Sequence, residues 1–253
     1  MKSLSKSLTL AALLMAALFA GCKNGDDDEI SSEKLNNGVF TVWSDDSTTL
    51  IQVVDMGRGV CWATCNIGSN SPEIPGHYFA WAETAPKSDY SRTKYKWFHN
   101  GEIADITKYC TKKEYAYKEK FDTIEVLLPS DDPATIYYGA KWQTPSSYQF
   151  RELIKRSTRT WGTVNGVWGC LLTSEANGNS VFFPVTGLLD GNKLNYPSLG
   201  FYWTRNLNGG TPNKANALWV RSDGDLSDIE VTDTDRERGL QVRAIIMTSD
   251  LKK

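Results

Sequence analysis

Histidine is nearly absent: His77 and His99 are the only two in 253 residues, so chemistry that depends on clustered imidazoles has little to work with. The chain has no HExxH metal helix, no GxxxxGK[ST] loop to cradle a phosphate and no GxSxG elbow to expose a nucleophilic serine. A Ser-His-Asp set needs no fixed order in sequence, but nothing raises one above background. Carboxylate pairs are plentiful, as in any acidic domain, and carry no glycosidase signal by themselves. Positive charge is not in excess either, with 28 Lys and Arg against 30 Asp and Glu. A chain without a broad basic surplus cannot neutralise many phosphates, which excludes nucleic acid as a partner. Long apolar runs are missing except at residues 8–20, which are interrupted only by Thr9 and fall short of the ~20 residues that a membrane-spanning helix needs.

That short run reads as a secretory signal. Lys2 and Lys6 precede it, and small residues close it at Ala20-Gly21, just before Cys22. The stretch Leu18-Phe19-Ala20-Gly21-Cys22 resembles the lipobox of bacterial lipoproteins, with Phe19 where that family usually has Leu. The resemblance implies cleavage before Cys22 and acylation of its thiol. Each buried methylene contributes ~0.8 kcal/mol, so several acyl chains hold a protein at a membrane where one does not. Asp26-Asp27-Asp28-Glu29 follow, a charge density that cannot pack a core and is expected to act as a solvated tether over residues 22–38. The acidic run also resembles the surface-export signal of Bacteroidota lipoproteins, which implies a lipid-anchored protein on the outer face of the outer membrane; a spacer facing the periplasm is the alternative.

Removal of residues 1–21 leaves 26 basic against 30 acidic side chains, a net charge of −4. The remaining length suits one large domain or two small ones. Cys61, Cys65, Cys110 and Cys170 remain besides Cys22. An oxidising compartment permits two disulfides among them, and buried free thiols are the other reading. A zinc site fails on spacing, since no close CxxC pair and no neighbouring histidine cluster exist.

The spacing of apolar and turn residues predicts an α+β domain of short antiparallel strands, long loops and one clear helix at about 146–156. Strand-like runs fall at 50–56, 59–68, 77–82, 167–173, 180–186, 200–205, 216–221 and 239–246. Asn165-Gly166, Asn177-Gly178, Asp190-Gly191 and Asp223-Gly224 are turn formers between or beside them. The helix has Pro145 and a capping serine at its start and Phe150, Leu153 and Ile154 on one face. Residues 83–140 read as irregular, and 248–253 as a tail.

Several of these segments resemble one family. Val54-Asp55-Met56-Gly57, Trp62-Ala63-Thr64-Cys65-Asn66-Ile67-Gly68 and Tyr78-Phe79-Ala80-Trp81-Ala82-Glu83-Thr84 are similar to the opening of the Fibrobacter succinogenes major paralogous domain. Gly139-Ala140-Lys141-Trp142-Gln143-Thr144-Pro145, Gly200-Phe201-Tyr202-Trp203-Thr204 and Gly239-Leu240-Gln241-Val242-Arg243 follow in the family's order, so the likeness spans about 53–246. It implies a C-type-lectin-like fold over 39–247, with Trp62, Trp81, Trp142 and Trp203 as buried anchors and no catalytic residues to carry over. The redox cysteines that related sulfatase-modifying enzymes carry late in the chain have no counterpart after Cys170. Cys61 and Cys170 depart from the family pattern, which implies that they pair with each other.

The functional expectation is a non-catalytic surface lipoprotein that binds a glycan or a surface or host protein, without cofactor. The alternatives are a structural subunit or tip of a fimbria-like assembly and, behind it, an envelope enzyme. Tyr196, Tyr202, Trp219 and Arg221, in the late loops, are the candidate ligand contacts. No metal is expected: Asp223, Asp225 and Asp228, with Glu230, offer hard oxygen ligands for calcium, but Gly224 is misplaced for an EF-hand, and a solvated acidic loop is the simpler reading.

Overall fold

A computed structural model describes residues 28–223 and 226–252. In chain order its strands are β1 (Val39–Trp43), β2 (Leu50–Asp55), β3 (Val60–Ala63), β4 (Trp142–Gln143), β5 (Ser157–Val164), β6 (Val167–Ser174), β7 (Ser180–Pro184), β8 (Leu188–Asp190), β9 (Lys193–Asn195), β10 (Leu199–Leu207), β11 (Lys214–Asp223), β12 (Leu226–Asp235) and β13 (Ile245–Met247). The α-helices are α1 (Ser32–Leu35), α2 (Pro133–Tyr138) and α3 (Ser147–Lys155). All ladders between these strands are antiparallel. They form a five-stranded sheet in the order β1-β2-β3-β13-β4, two three-stranded sheets, β5-β6-β7 and β10-β11-β12, and the β8-β9 ribbon.

Period-2 alternation divides the apolar side chains between two cores. In β3, Cys61 and Ala63 face one core, with Trp81, Trp142 and Trp203; Val60 and Trp62 face the other, with Phe150, Cys170 and Tyr202. Trp62, Trp81, Trp142 and Trp203 are all buried, in the role expected of them. The segment 239–247 ties the sheets together. The Ala63 N–H donates to Ala244 O, the Gln241 N–H to Phe201 O, and the Trp203 N–H to Gln241 O, while β13 pairs with β3 and β4.

Helix α3 begins where local chemistry places it. Ser146 accepts from the Gln149 N–H and the Gln149 side chain accepts from the Ser146 N–H, a reciprocal capping box. Phe150 and Leu153 are buried while Arg151 and Lys155 are exposed. The Asn165-Gly166 turn joins β5 to β6 with both residues at positive φ (50° and 77°), the conformation a two-residue hairpin needs.

Three expectations change. The run at 77–82 is not a strand. Phe79 makes a single bridge to Leu240, and Ala82 has a positive φ of 63°. Strands β1, β5 and β12, unmarked in the sequence reading, alternate too weakly: β12 carries Asp228, Glu230, Asp233 and Asp235, and β5 is exposed at Thr158, Arg159 and Thr160. The tether boundary also moves. Residues 28–38 pack against the domain, with Ile30 buried beside Val164, Leu171 and Phe182. The Thr163 N–H donates to Asp28 O, and the Ile30 N–H to Thr163 O, both at 2.8 Å. Gly162 allows this approach, since a Cβ there would lie 2.2 Å from Asp28 O.

Candidate functional site

A cavity of about 240 Å³ opens between α3 and the β2–β3 turn. By the share of liquid volume one water takes, this is room for roughly eight waters, or one hexose ring. Met56, Val60, Trp62 and Leu153 form its apolar floor; Arg58, Tyr148, Glu152 and Arg156 stand around the mouth.

Each wall is held by local structure. Gly57, Arg58 and Gly59 all have positive φ, at 81°, 62° and 78°. The Asp55 carboxylate accepts from the Gly57 N–H at 2.7 Å, and the Met56 N–H donates to Val60 O. This tight turn holds Arg58 outward at its tip, where the guanidinium has no hydrogen-bond or ion-pair partner among the described residues. On the opposite wall Tyr148, Glu152 and Arg156 follow one another at i, i+4 and i+8 along one face of α3 and its C-cap. Tyr148 is 70% exposed, and Glu152 lies 3.8 Å from Arg156.

The mouth therefore combines an open aromatic face, two guanidiniums and one carboxylate over an apolar floor. Among the described residues it has no second carboxylate, imidazole or thiol with which to divide general acid and base roles. This arrangement fits binding: guanidiniums and a carboxylate for hydroxyl or carboxyl groups, and a ring for the apolar side of a ligand.

The four residues proposed from the sequence do not line this cavity. Tyr202 is fully buried, with its hydroxyl donating to Pro184 O at 2.6 Å, and so cannot meet a ligand. Its strand alternation sends it into the core shared with Phe183. The other three gather around Phe201. The Tyr196 ring centroid lies 6.2 Å from it, Trp219 lies 5.2 Å from it, and Arg221 sits 5.5 Å over the Trp219 ring. Trp219 is half-buried and Arg221 is bound to Glu230, so only Tyr196, at 56% exposure, is open there.

Of the calcium candidates, Asp225 and the Asp223 side chain lie outside the described residues. Asp228 accepts from the Ile229 N–H and lies 3.3 Å from Arg159. Among the described residues no three His, Cys, Asp or Glu side chains converge on a cation position. Cys22 also lies outside the described residues.

The expected Cys61–Cys170 disulfide is not formed; both are free thiols. The physical reason is strand alternation. Cys61 points to the core of Trp81 and Trp142, whereas Cys170 lies in the other core, with Trp62. Burial pushes both thiols up to about 12, which leaves them unreactive.

The sequence reading missed the cavity because its walls come from segments ninety residues apart. The signals that could have found it are local, glycines on both sides of Arg58 and the i, i+4, i+8 spacing of Tyr148, Glu152 and Arg156, but nothing local brings the two segments together. The fold is defined at the level of antiparallel sheets with few helices. Compared with known protein families, curated proteins and solved structures, the chain matches none.

Proposed function

We propose that this chain is a non-catalytic lipoprotein of the bacterial outer surface, anchored through Cys22, whose single domain binds a glycan at the α3 cavity. In this reading the domain is a member of the Fibrobacter succinogenes major paralogous family with a C-type-lectin-like fold. The observation that carries the binding reading is the cavity mouth: exposed Tyr148 on α3 and Arg58 on the β2–β3 turn, which has no partner among the described residues, line one cavity over an apolar floor. The C–H face of a sugar ring packs on an aromatic face, and ring hydroxyls or a carboxylate accept from guanidinium donors.

A glycan array on the purified chain tests this, with Tyr148→Ala and Arg58→Ala alongside. Binding that both variants weaken at least tenfold is the expected result. No binding above background, or binding that neither substitution alters, overturns it. The assembly reading has one observation in its favour, the exposed edge of β1, where Phe40 and Trp43 stand in solvent.

A further inference from the structure

Most sheet edges among the described residues are blunted in the ways that keep edges from pairing. Strand β4 has two residues, and β12 carries four acidic side chains. Residues 28–30 lie along β5, β7 ends at Pro184 and has α1 against it, and Gln241 bridges to β10. Strand β1 has none of these devices. Its sequence Val39-Phe40-Thr41-Val42-Trp43 has no charge and no proline, and its register with β2 is unbroken.

The ladder also fixes which of its backbone groups are open. The Ser44 N–H donates to Thr49 O, and the Thr64 N–H to Gln52 O. By antiparallel alternation Phe40 and Val42 therefore bond to β2, while Thr41 and Trp43 turn N–H and C=O away from the sheet. The Val39 C=O points the same way; its N–H is taken by Asn36 O at 3.2 Å. Thr41 is exposed, as are Phe40 (39%), Trp43 (56%) and the latter's β2 partner Leu50 (51%).

We propose that two copies of this chain join antiparallel through β1, about a two-fold axis at Thr41, so that one sheet runs through both. The occupant is a second copy because the strand is complementary to itself in the register its open groups demand. Thr41 faces Thr41 of the second copy and exchanges two hydrogen bonds with it. Trp43 faces Val39 of the second copy and donates to its C=O, and the reverse contact follows by symmetry. Phe40 then lies opposite Val42 of the second copy. Aromatic against β-branched and Thr against Thr are favourable cross-strand pairs, and no like charges meet. Flanking charge permits it: antiparallel pairing sets Asp46, and Asp45 with its Lys141 partner, over the uncharged Asn36-Asn37 end of the second copy, behind which Glu33 and Lys34 balance. A parallel pairing would set acid over acid. No β1 residue lines the α3 cavity, so this inference stands apart from the glycan reading.

The test is the mass of the whole chain in detergent by sedimentation, with three variants. The unaltered chain is expected as a dimer. Thr41→Pro removes an outward N–H without breaking a bond to β2, and Thr41→Lys sets like charges on the axis; each is expected to weaken association at least tenfold at unchanged melting temperature. Should Thr41→Pro fail to fold, Thr41→Lys decides. Thr41→Cys is expected to cross-link between copies on oxidation, beyond the background of the unaltered chain, because Cα atoms across a hydrogen-bonded pair lie ~5.5 Å apart. A single-chain mass, a dimer that Thr41→Lys leaves intact, or single copies that instead take up an unrelated extended peptide on β1 overturn the proposal.

Discussion

Arg243 and Arg58 carry the same side chain into opposite surroundings. Arg243 is fully buried: it donates to Asn66 Oδ1 at 2.9 Å, to Ala63 O and to Thr64 O, and lies 4.9 Å over the Phe183 ring. Burial pulls its guanidinium below the ordinary value, opposed by the neighbouring Tyr202 and Cys65. It still carries its charge, because no protein environment deprotonates arginine. Arg58 stands at the tip of a turn with no partner among the described residues. The first region uses guanidinium donors to satisfy carbonyls that strand β3 leaves at its end. The second leaves its donors unused at a cavity mouth. Buried charge here organises backbone, and the proposed binding falls to side chains that the fold does not consume.

The largest expected effect breaks the first half of this contrast. Arg243→Met keeps much of the side-chain volume but strips donors from two buried carbonyls and an amide oxygen. A loss of about 3–5 kcal/mol in denaturant unfolding is expected. Stability within experimental error of the unaltered chain would mean that the Arg243 network is incidental. Ser146→Ala removes half of the α3 capping box and is expected to cost about 1 kcal/mol, while loosening the cavity wall that carries Tyr148.

A pH experiment sharpens the contrast between buried and open polar groups. Burial raises the Asp132 carboxyl above its ordinary value of 3.8, opposed by hydrogen bonds from Thr144 and Ala134. The folded state therefore holds this proton where the unfolded state has released it. Its contribution is full below about pH 4 and is lost as pH rises through the elevated folded value. Asp132→Asn should flatten that fall when thermal stability is followed against pH; an identical pH profile in both proteins would contradict the assignment.

Arg58→Ala is expected to leave stability within about 0.5 kcal/mol while weakening ligand, the reverse of Arg243→Met. The smallest effect is a thiol titration. Cys61, Cys110 and Cys170 are buried and Cys65 half-buried, so native protein should react slowly with a thiol reagent. Unfolded protein should expose four thiols if Cys22 is acylated and five if it is not.

Much of the fold was legible because short-range chemistry wrote it. The helix start at Ser146, the turns at Asn165-Gly166 and Asn177-Gly178, and the buried role of Trp62, Trp81, Trp142 and Trp203 agree between sequence and structure. Tyr202 was misread because a tyrosine in a Gly-Phe-Tyr-Trp run is equally compatible with either face of a strand until the sheet is assembled. The Cys61–Cys170 pairing failed for the same reason: chain position says nothing about which side of a sheet a thiol takes. Strand β1 was missed because an edge strand lacks the inward apolar alternation that marks a covered one, and Phe40 and Trp43 stay in solvent.

The sequence alone determined the elements whose cause lies within a few residues: caps, glycine turns, the period of α3 and the unusual amino-terminal run ending at Cys22. Tertiary structure alone decided which core each β3 residue enters, which backbone edge stays open and that Arg58 and Tyr148 line one cavity. Those outcomes depend on pairing between segments far apart in the chain, and local propensity carries no information about a partner strand.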